Sequence, residues 1–218
     1  MYEKAQPKKS TVKDFSVVYA FLRPLLSGLL LLLVTGCSLL QPTKQAQAPL
    51  NVTEREQQLL AMQQFELQAS VGIKSPAESI SGNLRWQQHS REHFHARLSN
   101  FLGISLFELT DDGNLSSISV KGETYQAADT STLLWQLAGW SMPLHDMPLY
   151  LRGLPGKRGR NIVRDEFDRV TAFELTDSTG IVWQLSYQRF FPDALALPQR
   201  LLLQSSDSEI KIVIRSWQ

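Results

Sequence analysis

Apolar and polar residues alternate with a period of two over most of this chain, and that period restricts what the chain can fold into. The alternation runs through residues 65–73, 80–86 and 94–98, and further strands are expected at 169–176 and 181–190. A period of two places successive side chains on opposite faces of a β-strand. The sequence therefore predicts a mainly β protein in which most strands turn one apolar face toward a core.

Short turns separate these segments and indicate how the strands connect. Turn-forming residues occur at 111–114, 121–122, 178–180 and 206–208. Connections this short join antiparallel neighbours, because parallel strands need long crossovers. We expect about eleven antiparallel strands, and a sheet of that size accumulates so much twist that it curls into an open or closed barrel.

About three short helices interrupt or flank the strands. Thr53 is a candidate cap for the first helix, and residues 130–140 carry apolar side chains at helical spacing after a candidate cap at Thr130 or Ser131. Residues 149–151 are the third candidate. We expect the helix at 130–140 to cover one face of the sheet, within a single domain formed by residues 53–218.

Some strands carry apolar residues on both faces, and two explanations are open. Residues 104–109 and 201–203 both show this pattern. The apolar side chains either line a concave hydrophobic cavity under the helices or pack as ordinary core.

The first 36 residues have the composition of a signal peptide. Basic residues from Lys4 to Arg23 precede an apolar run at 25–35, which is shorter than the roughly 20 residues that span a bilayer. The run ends at Cys37, the only cysteine of the chain. We expect cleavage before Cys37, lipidation of its side chain and amino group, and a polar tether over residues 37–52.

Charge and cysteine content exclude several other classes of protein. The chain has 22 basic and 21 acidic residues, a formal net charge of +1. Nucleic-acid binding is disfavoured because it needs concentrated positive charge. One cysteine excludes an intramolecular disulfide and a multi-cysteine zinc site.

Candidate catalytic and metal sites are weak. His93 and His95 share a strand face, but no acidic or cysteine ligand lies at a convincing spacing. Gly156-Lys157 is followed by Arg158 where a phosphate-binding loop has Ser or Thr, and no Gly-x-Ser-x-Gly sequence occurs. We therefore expect no enzyme activity, no metal and no cofactor.

The turn at residues 100–103 is unusual because it carries Phe101 and Leu102 at its tip. Loop tips are normally polar, so an apolar tip indicates a point offered to lipid or to a partner. The alternative is that either side chain folds back into the core.

Several motifs are spread along the chain: Cys37 after the apolar run, Leu84-Arg85-Trp86, Asn100-Phe101-Leu102-Gly103, Gly153-Leu154-Pro155-Gly156, Trp183 to Tyr187, Leu197-Pro198 and Trp217. Together they resemble the LolB family of outer-membrane lipoproteins. Phe101 stands where we expect proline in the family. The resemblance implies an unclosed β-barrel with a helical lid and a hydrophobic cavity. It also implies a receptor that takes lipoproteins from the periplasmic carrier LolA by their acyl chains and inserts them into the outer membrane.

The resemblance also implies roles for particular residues. Leu102, with Phe101, corresponds to the loop associated with membrane targeting. Ser38 follows the lipidated cysteine, in place of the aspartate that retains lipoproteins in the inner membrane, and this implies the periplasmic face of the outer membrane. Within the implied cavity, strand parity selects the lining as Trp86, Phe94, Leu98, Leu106, Trp183 and Tyr187, with Leu134 and Leu137 on the lid.

A binding protein and an enzyme are the two alternative functions. A lipid-anchored, lipocalin-like protein could bind a small apolar ligand without transferring it. A lipid-modifying or hydrolytic enzyme is the weaker alternative, because no nucleophile or metal constellation assembles. No feature of the sequence requires more than a monomer.

Overall fold

The computed structural model describes residues 51–218. The predicted signal peptide, the lipidation site at Cys37 and most of the predicted tether lie outside the described residues. Asn51 and Val52, which the sequence assigned to the tether, instead cap and begin the first helix.

Eleven strands and three helices make up the described part of the chain, which confirms the expected mainly β architecture. The elements in chain order are α1 (Val52–Ala61), β1 (Phe65–Lys74), β2 (Ser79–Gln88), β3 (Phe94–Ser99), β4 (Ser105–Asp111), β5 (Ser116–Val120), β6 (Glu123–Ala127), α2 (Thr130–Ala138), α3 (Met147–Leu151), β7 (Arg160–Arg164), β8 (Val170–Thr176), β9 (Val182–Phe190), β10 (Pro198–Gln204) and β11 (Glu209–Trp217).

All eleven strands belong to one antiparallel sheet with the order β6-β5-β4-β3-β2-β1-β11-β10-β9-β8-β7. The first and last strands pair in the middle, where Val71 lies opposite Ile212. Strands β6 and β7 are the two edges, so the sheet is unclosed. The helical segment of α2 and α3 connects these two edges in the chain.

The strand register brings the apolar positions to one face of the sheet. Leu67 of β1 lies opposite Trp86 of β2, and Trp86 lies opposite Ala96 of β3. On the other half of the sheet, Leu201 lies opposite both Ile212 and Tyr187. We call this the inner face; its buried side chains form one hydrophobic cluster with residues of α2 and α3.

The capping residues differ from those expected. Asn51 caps α1, its side chain accepting a 2.8 Å hydrogen bond from the backbone N–H of Glu54, so the prediction of Thr53 is wrong. Asp129 caps α2 by accepting from the N–H of Thr132 at 2.8 Å, so Thr130 and Ser131 are also wrong. In both cases an Asn or Asp precedes the hydroxyl residue, and its side-chain oxygen accepts a hydrogen bond from a free N–H group of the first turn.

None of the helices within residues 51–218 is long and apolar enough to cross a membrane.

Candidate functional site

The inner face carries five of the residues selected from the sequence. Each of them is buried in the main hydrophobic cluster; they are Trp86, Phe94, Leu98, Trp183 and Tyr187. The rings of Trp86 and Phe94 stack with centroids 4.3 Å apart and an interplanar angle of 17°. The Trp86 indole N–H donates to the side-chain oxygen of Gln88 at 2.8 Å, which satisfies its one polar group inside the core.

Leu106 reaches the same cluster through an irregularity in the sheet. Phe107 pairs with Leu98 and Ser105 with Ser99, so Leu106 is the extra residue of a β-bulge. Both Leu106 and Phe107 are half-buried and pack against the cluster. Simple alternation cannot place both side chains on one face, whereas a bulge interrupts the alternation.

The two residues expected on the lid differ from each other. Leu134 of α2 is buried in the cluster, where α2 packs over β5 and β6. Leu137 lies one turn after Leu133, yet it is 37% exposed. The last turn of α2 therefore leaves an apolar side chain partly in solvent.

The space between the helices and the sheet is filled by side chains of the helical segment. Trp140, Leu144, Met147 and Tyr150 are buried there. The ring of Tyr150 lies 5.3 Å from that of Phe173 on the inner face. These side chains cover the apolar surface of the inner face that an open cavity would expose. A preformed apolar cavity therefore stays a prediction.

Tyr187 joins the helical segment to the sheet. Its hydroxyl donates a 2.7 Å hydrogen bond to the backbone carbonyl oxygen of Tyr150. Burial raises the pKa of both phenols, so both stay neutral and Tyr187 remains a donor.

A cleft of about 320 Å³ opens at one end of the helical segment. Phe94, Leu149 and Pro148 supply apolar lining, and charged or polar residues surround them. The remaining lining residues are Arg91, Glu92, Asp111, Gly113, Ala128, Asp129, Thr130, His145, Asp146 and Arg152. Because Phe94 is part of the inner face, the cleft borders that face.

Arg152, which the sequence did not indicate, ties α1 to α3. Its guanidinium donates to the carbonyl oxygens of Leu59, at 2.8 Å, and of Met62 near the end of α1. It also donates to the carbonyl of Pro148 at 2.9 Å. Burial lowers the pKa of Arg152, but these carbonyls and the end of the α1 dipole compensate the charge.

The Gly-Leu-Pro-Gly segment ends α3. Gly153 has φ +87°, a conformation that favours glycine, and a Cβ there would lie 3.3 Å from Pro198. The N–H of Leu154 bonds back to the carbonyl of Leu149 at 3.0 Å. The motif therefore turns the chain sharply out of α3 while keeping it close to β10.

Asp177 anchors the connection between α2 and α3 and was also missed. Its carboxylate accepts hydrogen bonds from the Ser141 hydroxyl at 2.7 Å and from the Trp183 indole at 3.0 Å. Backbone and side chain of Thr179 and the N–H of Ile181 complete its partners. Ser141 lies 36 residues before Asp177 in the chain, and the other partners follow Asp177 within six residues. No sequence pattern marks such a combination of distant and local partners.

The β3–β4 loop presents an exposed apolar tip. Phe101 is 86% exposed, Leu102 69% and Ile104 60%, so neither of the two predicted residues folds back into the core. The Asn100 side chain accepts from the N–H groups of Leu102 and Ile104, both at 3.0 Å, and this shapes the loop. Ile104, which the sequence assigned to a strand, adds a third exposed apolar side chain.

The histidines considered as candidate metal ligands from the sequence lie on the outer face, opposite the inner face, or in a turn. His95 lies 3.7 Å from Glu108 and 3.4 Å from Gln87. His89 and His93 form an edge contact with ring centroids 5.7 Å apart. Residues 51–218 contain no group of three His, Cys, Asp or Glu side chains arranged to hold a metal ion.

Comparison with protein families gives a match that spans the whole sheet. Residues 63–217 match the family described as outer membrane lipoprotein LolB. The chain belongs to the LolB family. Membership places it among outer-membrane lipoproteins and not among enzymes.

Individual LolB proteins match over most of their length. The outer-membrane lipoprotein LolB of Marinobacter nauticus is 31% identical over 85% of this chain and 92% of its own. LolB of Stutzerimonas stutzeri is 30% identical over 91% and 97%, and LolB of Tolumonas auensis is 29% identical over 86% and 92%.

Solved structures share the fold of this LolB family member at low sequence identity. A LolA superfamily protein from Nitrosomonas europaea superposes with a TM-score of 0.50 at 8% identity, covering 78% of this chain and 93% of that one. A DUF1329 family protein from Desulfovibrio piger gives 0.50 at 10% identity, over 76% and 89%. The unclosed sheet with covering helices is therefore the LolA-like fold.

Proposed function

We propose that this protein accepts lipoproteins from the periplasmic carrier LolA, holds their acyl chains against the inner face, and inserts the lipoproteins into the outer membrane. The observation that carries this proposal is the inner face itself, a continuous apolar surface across the sheet that is covered only by short helices. Family membership supports an outer-membrane lipoprotein role.

Acyl chains would bind by replacing the helical segment on the inner face. Helix α3 has only five residues, and a helix that short owes its stability to packing. An acyl chain that displaced Tyr150 from Phe173 would restore an apolar contact there, so the exchange loses little hydrophobic free energy. The cleft beside Phe94 is the entrance that this account requires.

Transfer needs no nucleotide in this account, because each receiver binds the acyl chains better than its donor. Each methylene exposed to water costs about 0.8 kcal/mol, so cargo must pass directly between apolar sites. Transfer from the carrier to the receptor and then to the membrane follows from differences in affinity alone.

The β3–β4 loop and the lipid anchor would make the contacts with the membrane. Phe101, Leu102 and Ile104 expose apolar surface that water disfavours and a bilayer accepts. We further propose that acyl groups on Cys37 hold the protein on the periplasmic face of the outer membrane, with the domain free to meet its carrier.

The proposal is tested by transfer of a radiolabelled lipoprotein from its LolA complex to residues 38–218. This segment contains every described strand and the whole inner-face cluster. We expect the label to move to this protein and then to added vesicles. If the protein takes no label from LolA but binds a small apolar ligand, the lipocalin-like alternative replaces the proposal.

A further inference from the structure

Three arginines lie in a groove on the outer face of the sheet, next to the apolar loop. The groove has a volume of about 250 Å³, and Arg85, Arg97 and Arg215 line it together with Gly103 of the loop. Arg85 and Arg97 have the parity opposite to Trp86 and Leu98, and Arg215 is exposed next to the buried Ile214, so the three guanidinium groups lie on the face opposite the inner face. Neither the match to the LolB family nor acyl-chain binding on the inner face explains why three arginine side chains lie together here.

The strand register places two of these cations side by side. Arg85 of β2 lies directly opposite Arg97 of β3. Like charges at directly opposed positions destabilise a sheet, so this pair has a cost. Glu66 contacts Arg85 at 2.7 Å and Glu108 contacts Arg97 at 3.3 Å, but both arginines stay largely exposed. Exposed ion pairs are weak, so these guanidinium groups can exchange partners.

Arg215 has only neutral partners among the described residues. It donates to the Ser70 hydroxyl at 2.7 Å and to the Asn83 side-chain oxygen at 2.9 Å, and none of the ion pairs within residues 51–218 includes it. Its guanidinium is therefore held in place by neutral acceptors while its charge is left uncompensated. A group prepared in this way is suited to an anion.

The arginines lie at the end of the strands that carries the loop. Asn83, which binds Arg215, is opposite Ser99, the last residue of β3, and the loop follows at Asn100. Arg97 is two residues earlier, roughly 7 Å along the strand. An apolar segment at a membrane surface enters the boundary of headgroups and acyl chains by about 5–10 Å. When the loop tip enters to that depth, the guanidinium groups reach the headgroup layer.

We propose that Arg97, Arg215 and Arg85 bind phosphate groups of anionic phospholipids while Phe101 and Leu102 enter the bilayer. Guanidinium groups match phosphate oxygens with paired hydrogen bonds, which a neutral side chain cannot supply. The inference rests on the proposed function, because it extends the role of the loop in delivery. It assigns the orientation of the protein on the membrane to a charged outer face as well as to the apolar tip.

Co-sedimentation of residues 38–218 with vesicles tests the inference. The double variant Arg97→Gln/Arg215→Gln is compared with the wild type on phosphatidylcholine vesicles with and without phosphatidylglycerol. Each arginine near an anionic bilayer contributes roughly fivefold to binding, so the pair should lose roughly 25-fold on anionic vesicles. Binding to pure phosphatidylcholine should not change, and high salt should remove the difference.

Arg160→Gln/Arg164→Gln is the matched control, because both arginines are exposed on the edge strand β7 and the pair removes the same two charges far from the loop. Its binding should stay within twofold of the wild type. The inference is overturned if Arg97→Gln/Arg215→Gln binds anionic vesicles like the wild type, or if Arg160→Gln/Arg164→Gln loses as much. It is also overturned if vesicle binding is retained and only uptake from LolA falls, because the groove would then serve the carrier.

Uptake of cargo from LolA without vesicles separates this inference from the proposed function. Arg97→Gln/Arg215→Gln should take up cargo as the wild type does. Failure of uptake by the wild type would contradict the proposed function, and the vesicle comparison would still decide the role of the arginines.

Discussion

The hydroxyl of Tyr187 donates a 2.7 Å hydrogen bond to the backbone carbonyl oxygen of Tyr150, joining strand β9 to helix α3. The N–H of Gly153 donates to the same oxygen at 3.1 Å. Tyr187 is buried, so its bond is protected from competition by water. This contact therefore holds the five-residue helix against the inner face.

Tyr187→Phe should loosen α3 without unfolding the domain. The variant loses one buried hydrogen bond, so we expect the free energy of unfolding to fall by about 1 kcal/mol. Hydrogen exchange at the amides of residues 149–154 should be faster than in the wild type, because this bond no longer holds the helix. Urea denaturation and exchange mass spectrometry measure the two effects.

Tyr125→Phe is the control for this change. Tyr125 donates only to the nearby Glu123 in an exposed hairpin, so its loss should alter stability by less than about 0.5 kcal/mol. Equal exchange at residues 149–154 in Tyr187→Phe and in the wild type would contradict the assigned role.

Asp177 should make stability depend on pH. Burial alone would raise the pKa of Asp177, but hydrogen bonds from Thr179, Ser141, Trp183 and the Ile181 N–H outweigh it and lower the pKa. A carboxyl whose folded-state pKa is lowered stabilises the fold above its unfolded pKa of about 3.9. This contribution is lost as the pH falls through the folded-state pKa.

Asp177→Asn removes that titration. At pH 7 we expect the variant to be less stable by about 1–3 kcal/mol, with a smaller further loss on acidification than the wild type shows. Asp207→Asn, at an exposed turn, should leave stability within about 0.5 kcal/mol. Parallel pH profiles for the wild type and Asp177→Asn would show that the hydrogen bonds do not favour the ionised carboxylate.

Gly153→Ala should destabilise the end of α3 more than backbone strain alone explains. Gly153 and Gly180 have φ angles of +87° and +85°, but a Cβ at Gly153 meets Pro198 at 3.3 Å whereas Gly180 has open space. Positive φ costs an alanine about 1 kcal/mol at either site. Thermal denaturation should therefore show a larger fall in Tm for Gly153→Ala than for Gly180→Ala. Equal falls in Tm would mean that Pro198 of β10 moves away from the added Cβ at little cost.

The strands and their antiparallel pairing could be predicted because apolar and polar residues alternate with a period of two. Alternation at residues 94–98 placed Phe94 and Leu98 on one face, and short turns implied antiparallel pairing. The bulge at Leu106 is set by pairing with β3, and the exposure of Leu137 by where α2 lies over β5 and β6. Neither depends on local sequence alone.

The missed residues act through distant partners. Arg152 binds backbone carbonyls about 90 residues earlier in the chain, and carbonyls have no sequence signature. Asp177 depends on Ser141 in the helical segment. Whether the inner face encloses empty space depends on how Tyr150 packs, which periodicity does not encode.

Leu102→Glu should separate delivery from uptake. A carboxylate at the loop tip opposes entry into the bilayer, while the inner face lies elsewhere and should take up cargo from LolA normally. We expect at least a tenfold slower transfer of labelled lipoprotein to vesicles. Leu115→Glu, which changes an exposed leucine in the β4–β5 turn, should transfer at the wild-type rate. Slowed uptake in Leu102→Glu would assign the loop to carrier contact instead.

Photocrosslinking with a loaded lipoprotein tests whether acyl chains bind on the inner face. A lipoprotein whose acyl chains end in a diazirine would be loaded from LolA onto residues 38–218 and irradiated, and the crosslinked peptides identified by mass spectrometry. We expect adducts on inner-face residues such as Phe94, Trp183 and Tyr187. Adducts confined to the β3–β4 loop or to the outer face would contradict binding on the inner face.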